Sequence, residues 1–99
     1  MGCLVVFHLP EGSSRALHRR FARRVMGEET TSWGGKYRYR RKGLVDGTAH
    51  VLLHTGIVLL REEDTPGMCR RVRKEGGVVE VRRVELTRSD QRTLNRASG

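Results

Sequence analysis

Residues 50–61 read HVLLHTGIVLLR. The run is apolar and β-branched, in a chain that is 31% charged. It exceeds the usual length of a strand, and Thr55–Gly56 interrupts it at a natural break. A hairpin or a sharp bend is the expected result. Two further runs join it as strands. CLVVFH at 3–8 reads as a buried strand, ended by Pro10 and Gly12. VVEVRRVEL at 78–86 reads as the last strand. Its Val79 and Val81 hold one phase and Val84 and Leu86 the other, so a bulge is expected near Arg82–Arg83.

Helical patterns fill the gaps. After EGSS, with Ser13 or Ser14 as N-cap, the residues Leu17, Phe21 and Val25 form one apolar stripe that Gly27 stops. A second helix starts at DTPG, capped by Asp64 or Thr65, with Pro66 as its first residue. Met68, Cys69 and Val72 give it a short apolar face, and Gly76–Gly77 ends it. EETTSWGG at 28–35 reads as a loop, KYRYRR at 36–41 as a strand of period two, and KGLVDGT as a turn or loop excursion.

The order is β-α-β-β-α-β, with room for one extra strand. Two right-handed crossovers in that order give an α+β, ferredoxin-like plait: an antiparallel sheet with both helices on one face and the other face open. The expected division is a single domain over 1–88 and a polar basic tail over 89–99, with one helical turn started by Ser89.

Ninety-nine residues suit one domain with a modest core. The formal charge is +9, and of the 20 basic residues only Lys36, Lys42 and Lys74 are lysine. Such a surplus repels itself when folded, and a polyanion relieves it. Arginine suits phosphate well, because its planar fork donates in parallel and its face stacks on rings. A GC-rich genome or thermophilic ion-pair networks would leave the same composition. Cys3 and Cys69 sit on apolar patterns without metal spacing, as in a reducing cytosol. MGCLVVFHLPEG lacks the basic start of a signal peptide, and no run reaches a membrane span. A cytoplasmic protein with no membrane partner is expected.

SWGGKYRYRRKG at 32–43 carries five basic residues, three aromatics and no acid. Single-stranded nucleic acid needs cations for phosphates and flat surfaces for bases, so Trp33, Lys36, Tyr37, Arg38, Tyr39, Arg40, Arg41 and Lys42 are candidate contacts. Strand alternation sets Tyr37 and Tyr39 on one face and Lys36, Arg38 and Arg40 on the other. An amphipathic strand with core tyrosines and a solvated charged face has the same pattern. On the first helix Arg15, Arg19 and Arg23 make a row about 12 Å long, which matches a phosphate path or a plain solvated face. His50 and His54 would stand roughly 13 Å apart in a strand, too far to share a metal. His8, at the end of the first strand, is the one candidate catalytic group: an imidazole titrating near neutrality can assist 2′-hydroxyl attack on RNA. The dispersed acids offer no pair for two-metal chemistry, and no cofactor is expected.

LVVFHLPEGSSRALHRRFARRV resembles the opening of the small CRISPR-associated endoribonuclease family that partners the spacer integrase. The resemblance covers residues 3–27 and, less closely, 64–86. It implies a ferredoxin-like fold, a homodimer and a nucleic-acid role. The family carries an aspartate where this chain has His8, a departure that speaks against metal-dependent cleavage.

The expected function is nucleic-acid binding by a small basic domain, with RNA or single strands favoured because a sheet face with rings suits unstacked bases. Two alternatives stand beside it: a nuclease of the resembled type, and a structural subunit of a ribonucleoprotein or protein assembly. A homodimer through a sheet edge or face is compatible with each.

Overall fold

The computed structural model describes residues 1–32 and 37–98, with side chains described outside 29–40 and 97–98. The strands are β1 (Gly2–His8), β2 (Glu28–Ser32), β3 (Tyr37–Arg41), β4 (Val51–His54), β5 (Ile57–Arg61) and β6 (Val78–Val84). The helices are α1 (Arg15–Met26), α2 (Thr65–Lys74) and α3 (Arg88–Ser98), with a 3₁₀ turn at Leu44–Gly47. The fold is α+β. Four strands form an antiparallel sheet in the order β4-β5-β1-β6, and β2 and β3 form a separate two-stranded ribbon.

β1 organises the sheet. Cys3, Val5 and Phe7 are buried while Leu4 and Val6 between them are half-buried, the alternation of a strand with one well-covered face. The register sets Cys3 opposite Leu60 and Val5 opposite Val58 on one side. On the other it sets Val5 opposite Val81 and Phe7 opposite Val79. Phe21 and Val25 of α1 and Met68, Cys69 and Val72 of α2 join these residues in one core, so both helices cover the same face. The Phe7 and Phe21 rings meet edge to face with centroids 6.4 Å apart.

Local signals explain the boundaries. The Ser14 hydroxyl accepts the Leu17 N–H at 3.2 Å and starts α1. Gly27, at φ 85°, ends it in a conformation that favours glycine. The run at 50–61 turns at Thr55–Gly56, and Gly56 has φ 83°. The Gly56 carbonyl accepts the Phe7 N–H at 2.9 Å, which ties the hairpin to β1. At the start of α2, Asp64 makes no side-chain cap bond, and the Thr65 hydroxyl donates back to Arg61 O at 2.9 Å.

Several expectations are corrected. Residues 28–32, expected within a loop, form β2, because they pair with β3 from Glu28 opposite Arg41 to Ser32 opposite Tyr37. Opposite charges across the strands and two central threonines suit that pairing. The basic-aromatic stretch does form a strand, but in the ribbon rather than in the sheet. No bulge interrupts β6, whose register on β1 is unbroken from Val78 to Val84. The irregularity lies in β4, between Leu52 and His54. The two valine phases of β6 reflect half-covered apolar positions on both faces, not an inserted residue.

The stretch expected as a polar tail is the helix α3, and its cap is Thr87 rather than Ser89. The Thr87 hydroxyl accepts the Asp90 N–H and the Asp90 carboxylate accepts the Thr87 N–H, both at 3.0 Å. α3 lies against β4 and β5. Arg61, in the opposite phase to buried Leu60, donates to Leu94 O at 3.0 Å and to the Asn95 side chain at 3.3 Å. The sheet face expected to be open is therefore partly covered. Leu94 is only 1% exposed although it lies outside the main core. Leu94→Ala is expected to cost about 2–5 kcal/mol, the range for a buried leucine, read as a lower urea midpoint.

Candidate nucleic-acid interface

α1 presents its arginines outward because Phe21 and Val25 take the core-facing stripe. Arg20, Arg23 and Arg24 lie on its C-terminal half, near Gly27, where the chain leaves for the ribbon. The return from the ribbon passes over this helix end at Gly43. A Cβ there would overlap the Gly27 nitrogen, the Met26 carbonyl carbon and the Val25 oxygen, so only glycine fits. Val45 then plugs into the main core at 1% exposure, and the Gly43 N–H donates to the Asp46 carboxylate at 2.6 Å. This anchor holds Arg41 and Lys42, at the root of the ribbon, beside the helix arginines.

The result is a groove of about 590 Å³ lined by Arg20, Arg23, Arg24, Glu28, Arg41, Lys42, Leu44 and Glu75. Five cations against two carboxylates leave the lining at +3. Glu75 stands at the end of α2 and pairs with Arg24 at 2.8 Å. That pair is partly exposed and adds little stability, so the Arg24 guanidinium can turn to another anion at small cost. The remaining cations converge on a space that suits phosphate oxygens, with Arg supplying directional forks and Lys42 a point charge.

Of the expected contacts, the groove brings together Arg23, Arg41 and Lys42. Arg15 and Arg19 are exposed on α1 but outside the groove, since the helix carries the start of their row away from the ribbon. Trp33 and Lys36 lie outside the described residues. Tyr37, Arg38, Tyr39 and Arg40 are described as backbone only, with register partners Ser32, Thr31, Thr30 and Glu29. The tyrosines were expected on the sheet, and the pairing of β3 with β2 places them in the ribbon. Arg20 and Arg24 are the groove residues that the row of 15, 19 and 23 misses. Their signal is a second i, i+4 pair flanking the Phe21–Val25 stripe.

His8 is exposed at the end of β1, where its Nδ1–H donates to Leu9 O at 2.9 Å. It shares a hollow of about 170 Å³ with His18, Phe7, Phe21, Thr55 and neighbouring apolar residues. Among the described residues, no arginine, lysine or carboxylate lines that hollow, so its only titratable groups are the two imidazoles. His50 Nδ1–H donates to Thr48 O at 2.9 Å. Among the described residues, no group of three or more His, Cys, Asp or Glu could hold a metal ion. No helix among them is long and apolar enough to cross a membrane.

Cys3 and Cys69 are free and buried. Burial pushes the Cys69 thiol above its ordinary value of 9.0, with Arg73 acting downward and Cys3 upward. A protonated, enclosed thiol is a packing group rather than a nucleophile. The folded thiol holds its proton more tightly than the unfolded one. Its contribution to stability is therefore complete below pH 9.0 and is lost as the pH rises past that value. The urea midpoint of the wild type is expected to fall more steeply above this pH than that of Cys69→Ala. Parallel pH profiles would show that the thiol does not titrate in the way its burial requires.

Compared with known proteins, the chain matches no family, no curated protein and no solved structure.

Proposed function

We propose that this is a small cytoplasmic nucleic-acid-binding domain that holds the phosphates of RNA or another single strand in the groove between α1 and the ribbon. The observation that carries the reading is the convergence of Arg20, Arg23, Arg24, Arg41 and Lys42 from two separate elements on one space. Helix and ribbon are kept at that approach by a glycine that admits no side chain. RNA is favoured because the sequence of β3, YRYRR, alternates rings with charge. In fold terms the domain is a ferredoxin-like plait with an inserted ribbon and an added C-terminal helix. The support is that β1, β4, β5 and β6 enclose α1 and α2 in the required alternation, with the first strand between the third and the fourth.

A second reading, cleavage of RNA as in the endoribonuclease family that residues 3–27 resemble, is favoured by one observation. His8 and His18 line the same hollow, and two imidazoles can serve as base and acid. One experiment separates these readings from a subunit whose basic face meets an acidic protein. Labelled single-stranded RNA, single-stranded DNA and duplex DNA are incubated with the protein, with and without a divalent cation, and resolved on native and denaturing gels. Binding to intact strands is the expected result. Shortened RNA would favour cleavage, and no shift with any strand would favour the assembly subunit.

A further inference from the structure

The cationic groove does not end at Glu75. A second hollow of about 230 Å³ continues it, sharing Arg20, Arg24 and Glu75 and adding Lys74, and here one side of the wall is hydrocarbon, from Leu9, Leu17 and Phe21. Leu17 is 48% exposed and stands outside the main core, on a helix whose exposed side is mostly arginine. An exposed leucine alone is ordinary. This one lies where a cationic groove gains an apolar wall.

That juxtaposition selects among polyanions. A duplex brings phosphate and sugar to such a groove and keeps its bases stacked inside. An unpaired nucleotide brings a phosphate and, beside it, a flat and largely apolar base that gains by leaving water. We infer that the hollow at Leu9, Leu17 and Phe21 receives one unpaired base of the bound strand, while Arg20 and Arg24 hold the adjoining phosphate. The inference rests on the nucleic-acid reading and narrows it to strands with free bases.

The test uses three fluorescein-labelled probes in anisotropy titrations: a 12-nucleotide single-stranded DNA of thymidines, the same backbone with abasic residues, and a duplex of equal length. Expected is a preference for the base-bearing strand over the abasic one of roughly fivefold or more, the lower end of what contact with one base contributes. Leu17→Ser should abolish that preference while leaving the affinity for the abasic strand unchanged. Leu17→Phe, which keeps the apolar wall, should retain it. Because Leu17 is half exposed, both variants are expected to melt close to the wild type, and the unchanged abasic affinity is an internal check on folding. Equal binding of the two single strands by the wild type would overturn the inference, as would a preference that survives Leu17→Ser. Binding to none of the probes would remove the nucleic-acid reading together with it.

Discussion

Replacing Arg20, Arg23 and Arg41 together by alanine is expected to weaken single-strand binding roughly 50-fold at physiological salt. Each neutralised phosphate contributes about 0.7 to the log–log salt slope, which at that salt amounts to roughly fourfold in affinity per contact. A comparison variant removes the same charge elsewhere: Arg15 and Arg82 from exposed positions on α1 and β6, and Arg92 from α3. If a site does the binding, the comparison variant loses only a few-fold, through the weaker overall field. Equal losses in the two variants would mean that the net charge attracts polyanions without a defined groove. Arg24 is left out of the groove variant because its loss would also leave Glu75 without its 2.8 Å partner.

Gly43→Ala should be among the most damaging single substitutions in the protein. The backbone at Gly43 is ordinary, with φ −94°, so the requirement is space alone. An added methyl meets backbone atoms of the α1 terminus, and these cannot turn aside as a side chain can. A loss of about 3 kcal/mol is expected, at the upper end for overpacking, out of a total of about 5–15 kcal/mol for a typical domain. Gly47→Ala is the control, since a Cβ there comes no nearer than 4.0 Å to the Arg71 guanidinium. Chemical denaturation of the two variants checks the difference. The same step should reduce nucleic-acid affinity, because pushing the ribbon off the helix end separates Arg41 and Lys42 from Arg20 and Arg23. A Gly43→Ala variant as stable as the wild type would contradict the close crossing on which the groove depends.

What could be read from the chain follows the range of each signal. β1, α1 between Ser14 and Gly27, the turn at Gly56 and α2 behind Pro66 all have short-range signatures, and all four form. β2 has none: EETTS lacks an apolar alternation, and it becomes a strand by pairing with β3. α3 has one buried leucine in a polar sequence, so periodicity says little about it. Its threonine and aspartate three residues apart were a legible cap that composition obscured. The candidate site divides in the same way. Arg23, Arg41 and Lys42 stand out as charge on a helix, on a strand and just after it. Their meeting with Arg20, Arg24 and Glu75 depends on a chain crossing at Gly43 that no local pattern announces.

The most direct measurement is the affinity of the wild type for single-stranded RNA as a function of salt. With four or five groove cations on phosphate, a plot of log K against log salt should fall with a slope of roughly −2 to −4, steeper if the ribbon cations join. A slope near zero would contradict the claim that this groove binds a nucleic-acid backbone.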